Sequence, residues 1–208
     1  MVGSYHSMIR ELKQHALMEN IPIMQDEGID YLTTFIIKNQ IERVLEVGTA
    51  IGFSSIMMCL ASPRVKVVTI ERDEERYMEA LKNIKEFGLE DRITPIFKDA
   101  LDVKLTEKFD LIFLDGAKGQ NINFFEHFED NLEKDGYFVT DNINFHGYVD
   151  KNEEEIKSKN LRGLVKKIKA YKEYLINNEY YDTKFLNIGD GIAVTQKKEK
   201  WFKWNLLL

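Results

Sequence analysis

The chain has 208 residues, 44% of them hydrophobic and 31% charged, with a formal net charge of -6 at pH 7. That length suits one domain with a substantial core, and the mild acidity argues against blanket nucleic-acid binding. A lone cysteine, Cys59, excludes a disulfide framework or a structural zinc site. No apolar run is long enough to span a bilayer, and residues 1–10 lack a signal-peptide stretch, so a cytoplasmic protein without membrane partners is expected.

In chain order, residues 4–19 and 26–38 read as helices, the second with Ile29, Leu32, Thr33 and Ile36 on one face. Strands and helices then alternate. RVLEV at 43–47 is a strand, 54–61 a helix, VKVVTI at 65–70 a strand, and 73–87 a helix stopped by Gly88. Strands follow at 93–97 and 109–114. A helix is predicted over 121–132, with Phe124, Phe125, Phe128 and Leu132 on one side, then a strand at 137–140 and a charged helix over about 157–176. Strands at 185–188 and 192–195 flank Gly189-Asp190-Gly191 and close the chain. This alternation predicts an α/β fold with a mostly parallel sheet covered on both faces. Ligands then bind at the carboxyl ends of the strands, where strand order reverses.

The first strand runs into Glu46-Val47-Gly48-Thr49-Ala50-Ile51-Gly52-Phe53-Ser54. Glycines let backbone approach a ligand closely. Ala50 and Phe53 break the dehydrogenase glycine pattern, and the P-loop lysine is missing. An acidic residue at the start of the loop suits a ligand with a cationic amino group, such as S-adenosylmethionine. Glu71 ends the second strand, where an acid accepts hydrogen bonds from both ribose hydroxyls. Asp99 follows the third strand, within reach of an adenine amino group. Each feature alone is a tight turn or a solvated helix-start acid; three on successive strand ends make a nucleotide site.

The fourth strand ends in Leu114-Asp115-Gly116-Ala117-Lys118 and the next in Thr140-Asp141-Asn142. Taken singly, these are turn residues. Together, at two neighbouring strand ends, two carboxylates and an amide oxygen form a hard-oxygen set for Mg2+, or Mn2+ or Ca2+ in its place.

The segments EVGTAIGFS, VVTIE, FLDGAK, VTDN and GDG resemble the metal-dependent O-methyltransferases related to catechol and caffeoyl-CoA O-methyltransferases, from about Ile21 to Thr195. The resemblance implies a class I S-adenosylmethionine-dependent fold, Rossmann-like, with a seven-stranded sheet. It implies one methyltransferase domain: residues 1–40 as helices covering part of the active site, 41–196 as the core, and 197–208 as a tail. It assigns the metal to Asp115, Asp141 and Asn142 and catalysis to Lys118. It assigns the cofactor to Met24, Glu46, Gly48, Thr49, Ser54, Glu71, Asp99, Ala100 and Asp115. A homodimer is implied as well. FLDGAKGQ, the Asp141-Asn142-x-x-Phe145-His146-Gly147 stretch and Leu161-Arg162-Gly163-Leu164-Val165 are similar to the bacterial tRNA 5-hydroxyuridine methyltransferases. That narrower likeness implies a tRNA anticodon region as partner, 5-methoxyuridine as product, and His146 and Arg162 as substrate contacts.

A catechol and 5-hydroxyuridine each offer a metal two adjacent oxygens, so both substrate classes stay open. For RNA, Lys157, Lys159, Arg162, Lys166, Lys167, Lys169 and Lys172 form a basic stripe, although a solvated helix face explains such a run equally. For a small phenol, Phe145, Tyr148 and Trp201 offer an apolar slot. The apolar tail, Trp201 to Leu208, packs on the domain, swaps into a partner or is extraneous. A non-catalytic module is argued against by the complete Asp115, Lys118, Asp141 and Asn142 set.

Overall fold

A computed structural model describes residues 2–198. Trp201 and the rest of the apolar tail lie outside the described residues.

Seven strands form one sheet in the order β3-β2-β1-β4-β5-β7-β6. They are β1 (Arg43–Val47), β2 (Lys66–Glu71), β3 (Ile93–Phe97), β4 (Phe109–Leu114), β5 (Leu132–Thr140), β6 (Tyr181–Leu186) and β7 (Ile192–Lys197). The first five run parallel, and β7 joins β5 and β6 antiparallel. The order reverses between β1 and β4, the switch point of a doubly wound sheet.

Side-chain alternation along the strands feeds two cores. Val44, Leu111, Phe113, Val139 and Ile192 face one side, with helices α1 (Val2–Met18), α2 (Asp26–Lys38), α3 (Phe53–Ala61) and α4 (Glu74–Glu86). Leu45, Val47, Ile112, Leu114, Phe138 and Ala193 face the other, with α5 (Asn121–Phe128) and α6 (Lys159–Ile176). The central strands are buried on both faces, which is why they read as continuous apolar runs. Local signals set the helix ends: the Asp73 side chain accepts from the Arg76 N–H at the start of α4, and Ser158 accepts from Leu161 N–H at the start of α6.

Two predicted boundaries are corrected. The helix expected over 121–132 ends at Phe128, passes through a 3-10 turn (Glu129–Asn131), and Leu132 opens β5 opposite Phe109. Leu132 is buried in the same core in either conformation, so its apolar spacing did not discriminate. The strand expected over 185–188 is β6, Tyr181–Leu186. It is an edge strand paired only with β7, so its sequence alternates with polar residues and lacks an apolar run. Among the described residues, no helix is long and apolar enough to cross a membrane.

Candidate active site

Strand register brings the functional residues into one row. Val47 pairs with Ile70 and with Leu114; Leu114 pairs with Thr140; Glu71 pairs with Phe97. Gly48, Asp115 and Asp141, each the first residue past its strand, therefore stand side by side across the switch point, with Glu71 and Asp99 beyond. A cavity of about 510 Å3 opens on this row. Of the residues singled out in the sequence, Met24, Gly48, Thr49, Ser54, Glu71, Asp99, Ala100, Asp115, Lys118, Asp141, Asn142 and His146 line it. The cover comes from residues 22–25, the connection between α1 and α2, with Met24 buried at its inner edge. The body of α1 packs elsewhere: Tyr5 stacks on Phe87, and His15 meets Glu79 at 2.5 Å.

The β1–β3 end of the cavity is already satisfied by the protein. Gly48 (φ +102) lets its loop press on the end of β4, where a Cβ would stand 2.6 Å from the Asp115 carbonyl oxygen. The Glu71 carboxylate accepts from the backbone N–H groups of Ala50 at 2.8 Å and of Arg72 and Asp73 at 2.9 Å each. A carboxylate has about four acceptor sites, so Glu71 keeps acceptor capacity for a ligand. Asp99 accepts from the Leu101 N–H at 3.1 Å and pairs with Arg72 at 3.3 Å.

The β4–β5 end is different. Asp115 and Asp141 follow adjacent strands, and the Asp141 N–H donates to the Leu114 carbonyl at 3.2 Å. Lys118 Nζ donates to Asp115 Oδ1 at 2.9 Å. Burial foremost, and the Asp115 charge next, push the Asp141 carboxyl up; the Lys118 charge pulls the other way. Two carboxylates held together at a buried end thus call for positive charge. Asn142 (φ 58) donates from Nδ2 to Asp190 Oδ2 at 3.1 Å, leaving its oxygen for a ligand. Two carboxylates and an amide oxygen fit a hard divalent cation. Among the described residues, no cluster of three or more His, Cys, Asp or Glu side chains is placed to hold a metal, so the candidate set is the two carboxylates with the Asn142 amide.

Two expected contacts are corrected. Glu46 does not line the cavity. Strand alternation turns it under α3, where it is fully buried and accepts from Ser54, Ser55 and Thr69 hydroxyls, the last at 2.6 Å. Burial raises its pKa to about 7 against these donors. Its role is to anchor the loop; Ser54, which bonds to it, is the residue at the cavity wall. Arg162 does not reach the cavity either: its guanidinium donates to the carbonyls of Ile156 at 2.5 Å and Lys157 at 3.2 Å, closing the turn before α6.

His146 stands exposed at the rim, its backbone N–H donating to Asp190 Oδ1 at 2.5 Å. Phe145 lines the cavity, whereas Tyr148 does not, its ring lying beneath Lys151 Nζ at 4.5 Å. Sequence reasoning missed Phe53 and Phe124 as cavity walls: Phe53 reads only as a break in the glycine pattern, and Phe124 at helical spacing reads as core. It also missed Arg76 and Lys98, which line the nucleotide end without any motif.

A doubly wound seven-stranded sheet with this row of strand ends defines a Rossmann-like methyltransferase fold. A model of the family described as O-methyltransferase matches residues 2–198, and the chain belongs to that family. A Staphylococcus aureus structure provisionally named a caffeoyl-CoA O-methyltransferase is 36% identical with a TM-score of 0.87, over 91% of this chain and 92% of that one. The flavonoid 3',5'-methyltransferase of Vitis vinifera is 27% identical over 205 residues, 94% of this chain and 85% of its own. The O-methyltransferase of Bacillus cereus, solved in complex with SAH, shares the fold: TM-score 0.79, 24% identity, 92% of this chain and 91% of that one.

Proposed function

We propose that the protein uses S-adenosylmethionine and a divalent cation, Mg2+ or Mn2+ or Ca2+ in its place, to methylate one of two adjacent oxygens on its substrate, and that this substrate is 5-hydroxyuridine in the anticodon region of tRNA. One observation carries the chemistry: Asp115 and Asp141 stand side by side on the same cavity as the nucleotide end, with Lys118 on the Asp115 loop.

A cation bound there would act as a Lewis acid towards the substrate hydroxyl. Asp115, Asp141 and Asn142 would hold it through oxygen atoms. Glu71 accepts from a ribose hydroxyl, and Asp99 sits at the adenine end. Phe53 and Phe124 line the cavity with apolar surface and exclude water. In its neutral amine form, having given up the proton it shares with Asp115, Lys118 Nζ takes the proton from the substrate hydroxyl. The hydroxyl oxygen then forms its bond to the methyl carbon as the carbon–sulfur bond breaks, and the sulfur keeps the electron pair. Holding donor and acceptor in line makes this a proximity-driven displacement without a covalent enzyme intermediate.

The tRNA reading draws support from α6. Its buried side carries Val165, Ile168, Tyr171 and Leu175, while Lys159, Lys166 and Lys167 are exposed. Lys167 lies over Gly119, beside the Lys118 loop, so positive charge flanks the cavity mouth on an otherwise acidic protein. Comparing tRNA nucleosides by mass from strains with and without the protein tests this reading. Loss of 5-methoxyuridine with accumulation of 5-hydroxyuridine is expected. Unchanged tRNA, with turnover of free catechols, points to the second reading. That reading, a small catechol-like phenol as substrate, is favoured by the flavonoid and caffeoyl-CoA names of the relatives.

A further inference from the structure

Asp190 occupies the turn between β6 and β7 and is buried. The turn presses against the loop that follows β5. Gly191 (φ +87) leaves no room for a side chain, since a Cβ would stand 2.6 Å from Asn144 Cγ. Ile143 N–H donates to the Gly191 carbonyl at 3.1 Å and Asn144 Nδ2 to Asn187 Oδ1 at 3.2 Å, and Asp190 adds three hydrogen bonds across this contact. Asp190 Oδ1 accepts from the His146 N–H at 2.5 Å, Asp190 Oδ2 accepts from Asn142 Nδ2 at 3.1 Å, and the Asp190 carbonyl accepts from the Asn144 N–H at 2.9 Å. The loop needs such restraint. Asn142, Phe145 and His146 have φ of 58, 45 and 53, in the left-handed region that disfavours side chains such as phenylalanine.

An asparagine side chain has two chemically opposite ends of similar shape, an accepting oxygen and a donating nitrogen. Only the oxygen ligates a cation. Nothing within Asn142 selects the end that faces the cavity. A carboxylate accepts and does not donate, so Asp190 takes the Nδ2 end and leaves Oδ1 for ligation. We propose that Asp190 is a positioning residue that fixes the amide orientation of Asn142 and thereby sets the affinity of the site for a divalent cation. This rests on the reading that Asp115, Asp141 and Asn142 hold that cation. The same carboxylate fixes the loop backbone through His146, so amide and loop are set together.

The test uses Mn2+ binding to the full chain, followed by the EPR signal of free Mn2+, with SAH affinity and thermal stability measured alongside. In Asp190→Asn the new amide donates to Asn142 Oδ1, turning the Asn142 nitrogen towards the cavity. Mn2+ affinity is expected to fall about ten- to a hundredfold, the range for residues that orient metal ligands, while SAH affinity holds. Adding Asn142→Asp to Asp190→Asn removes the orientation problem, because both ends of the new side chain are oxygens. Mn2+ binding should then return close to that of the parent. Asp115→Asn serves as reference and should lose Mn2+ binding. Unchanged Mn2+ affinity in Asp190→Asn beside a loss in Asp115→Asn overturns the positioning role alone. Indifference of Mn2+ binding to both changes overturns the metal reading and this inference with it. A loss in Asp190→Asn that the double variant does not recover, accompanied by weaker SAH binding and lower stability, shows a merely structural aspartate and also overturns it.

Discussion

The two ends of the cavity treat their carboxylates in opposite ways. At the β1–β3 end, Glu71 accepts from three backbone N–H groups, so most of its acceptor sites are filled before a ligand arrives. At the β4–β5 end, Asp115 and Asp141 repel one another, and Lys118 pairs with Asp115 at 2.9 Å. The first end is a preformed cradle whose cost was met in folding. The second brings two acids and a lysine to one point, and that is where reactive groups gather.

The contrast yields predictions in descending order of effect. Lys118→Ala should lower turnover about 10²–10⁴-fold, the usual contribution of a proton-transfer group, with SAH affinity by calorimetry nearly unchanged. Equal turnover in the variant contradicts the base role. Next, a divalent cation should stabilise the protein through the β4–β5 end alone. At a hundred times its Kd, Mg2+ should add about 2.7 kcal/mol, a rise of roughly 5–10 °C in Tm for a chain of this size. Asp141→Asn should abolish that rise, and a retained rise would place the cation elsewhere.

A third prediction concerns pH. Burial raises Glu46 from the model-compound value of 4.5 to about 7, so the folded state binds this proton more tightly than the unfolded chain does. Its contribution to stability is present in full below pH 4.5 and is lost as pH rises through about 7, by up to roughly 3 kcal/mol at 1.36 kcal/mol per unit. Urea denaturation of Glu46→Gln across this range should show a flatter decline, and a slope equal to that of the parent contradicts the assignment. The smallest effect falls on α6. Lys166→Ala should weaken binding to anticodon stem-loop RNA and lower the salt slope by about one, with no change in SAH affinity; an unaltered slope removes Lys166 from the interface.

The β4–β5 end was the more legible in sequence. Asp115 and Asp141 each fall directly after a strand, with Asn142 next in line, so locating the strands locates the residues. The order of elements was legible for a related reason, since central strands buried on both faces are unbroken apolar runs. Legibility failed where one local pattern serves two conformations. Leu132 continues a helical face and also fills the core as the first residue of β5. Glu46 has the right charge beside the right loop, but alternation along β1 sends it under α3. Arg162 belongs to a suggestive motif, and its partners are carbonyls of the preceding turn. Asp190 was visible only as part of a short glycine motif, because its partners lie more than forty residues away.

The most direct test of the central claim is methyl transfer from S-adenosylmethionine to tRNA bearing 5-hydroxyuridine, by the purified protein, with Mg2+ and again after EDTA. The account predicts 5-methoxyuridine with Mg2+, its loss on chelation, and its return when Mg2+ is restored. Product formed at the same rate in EDTA would contradict it.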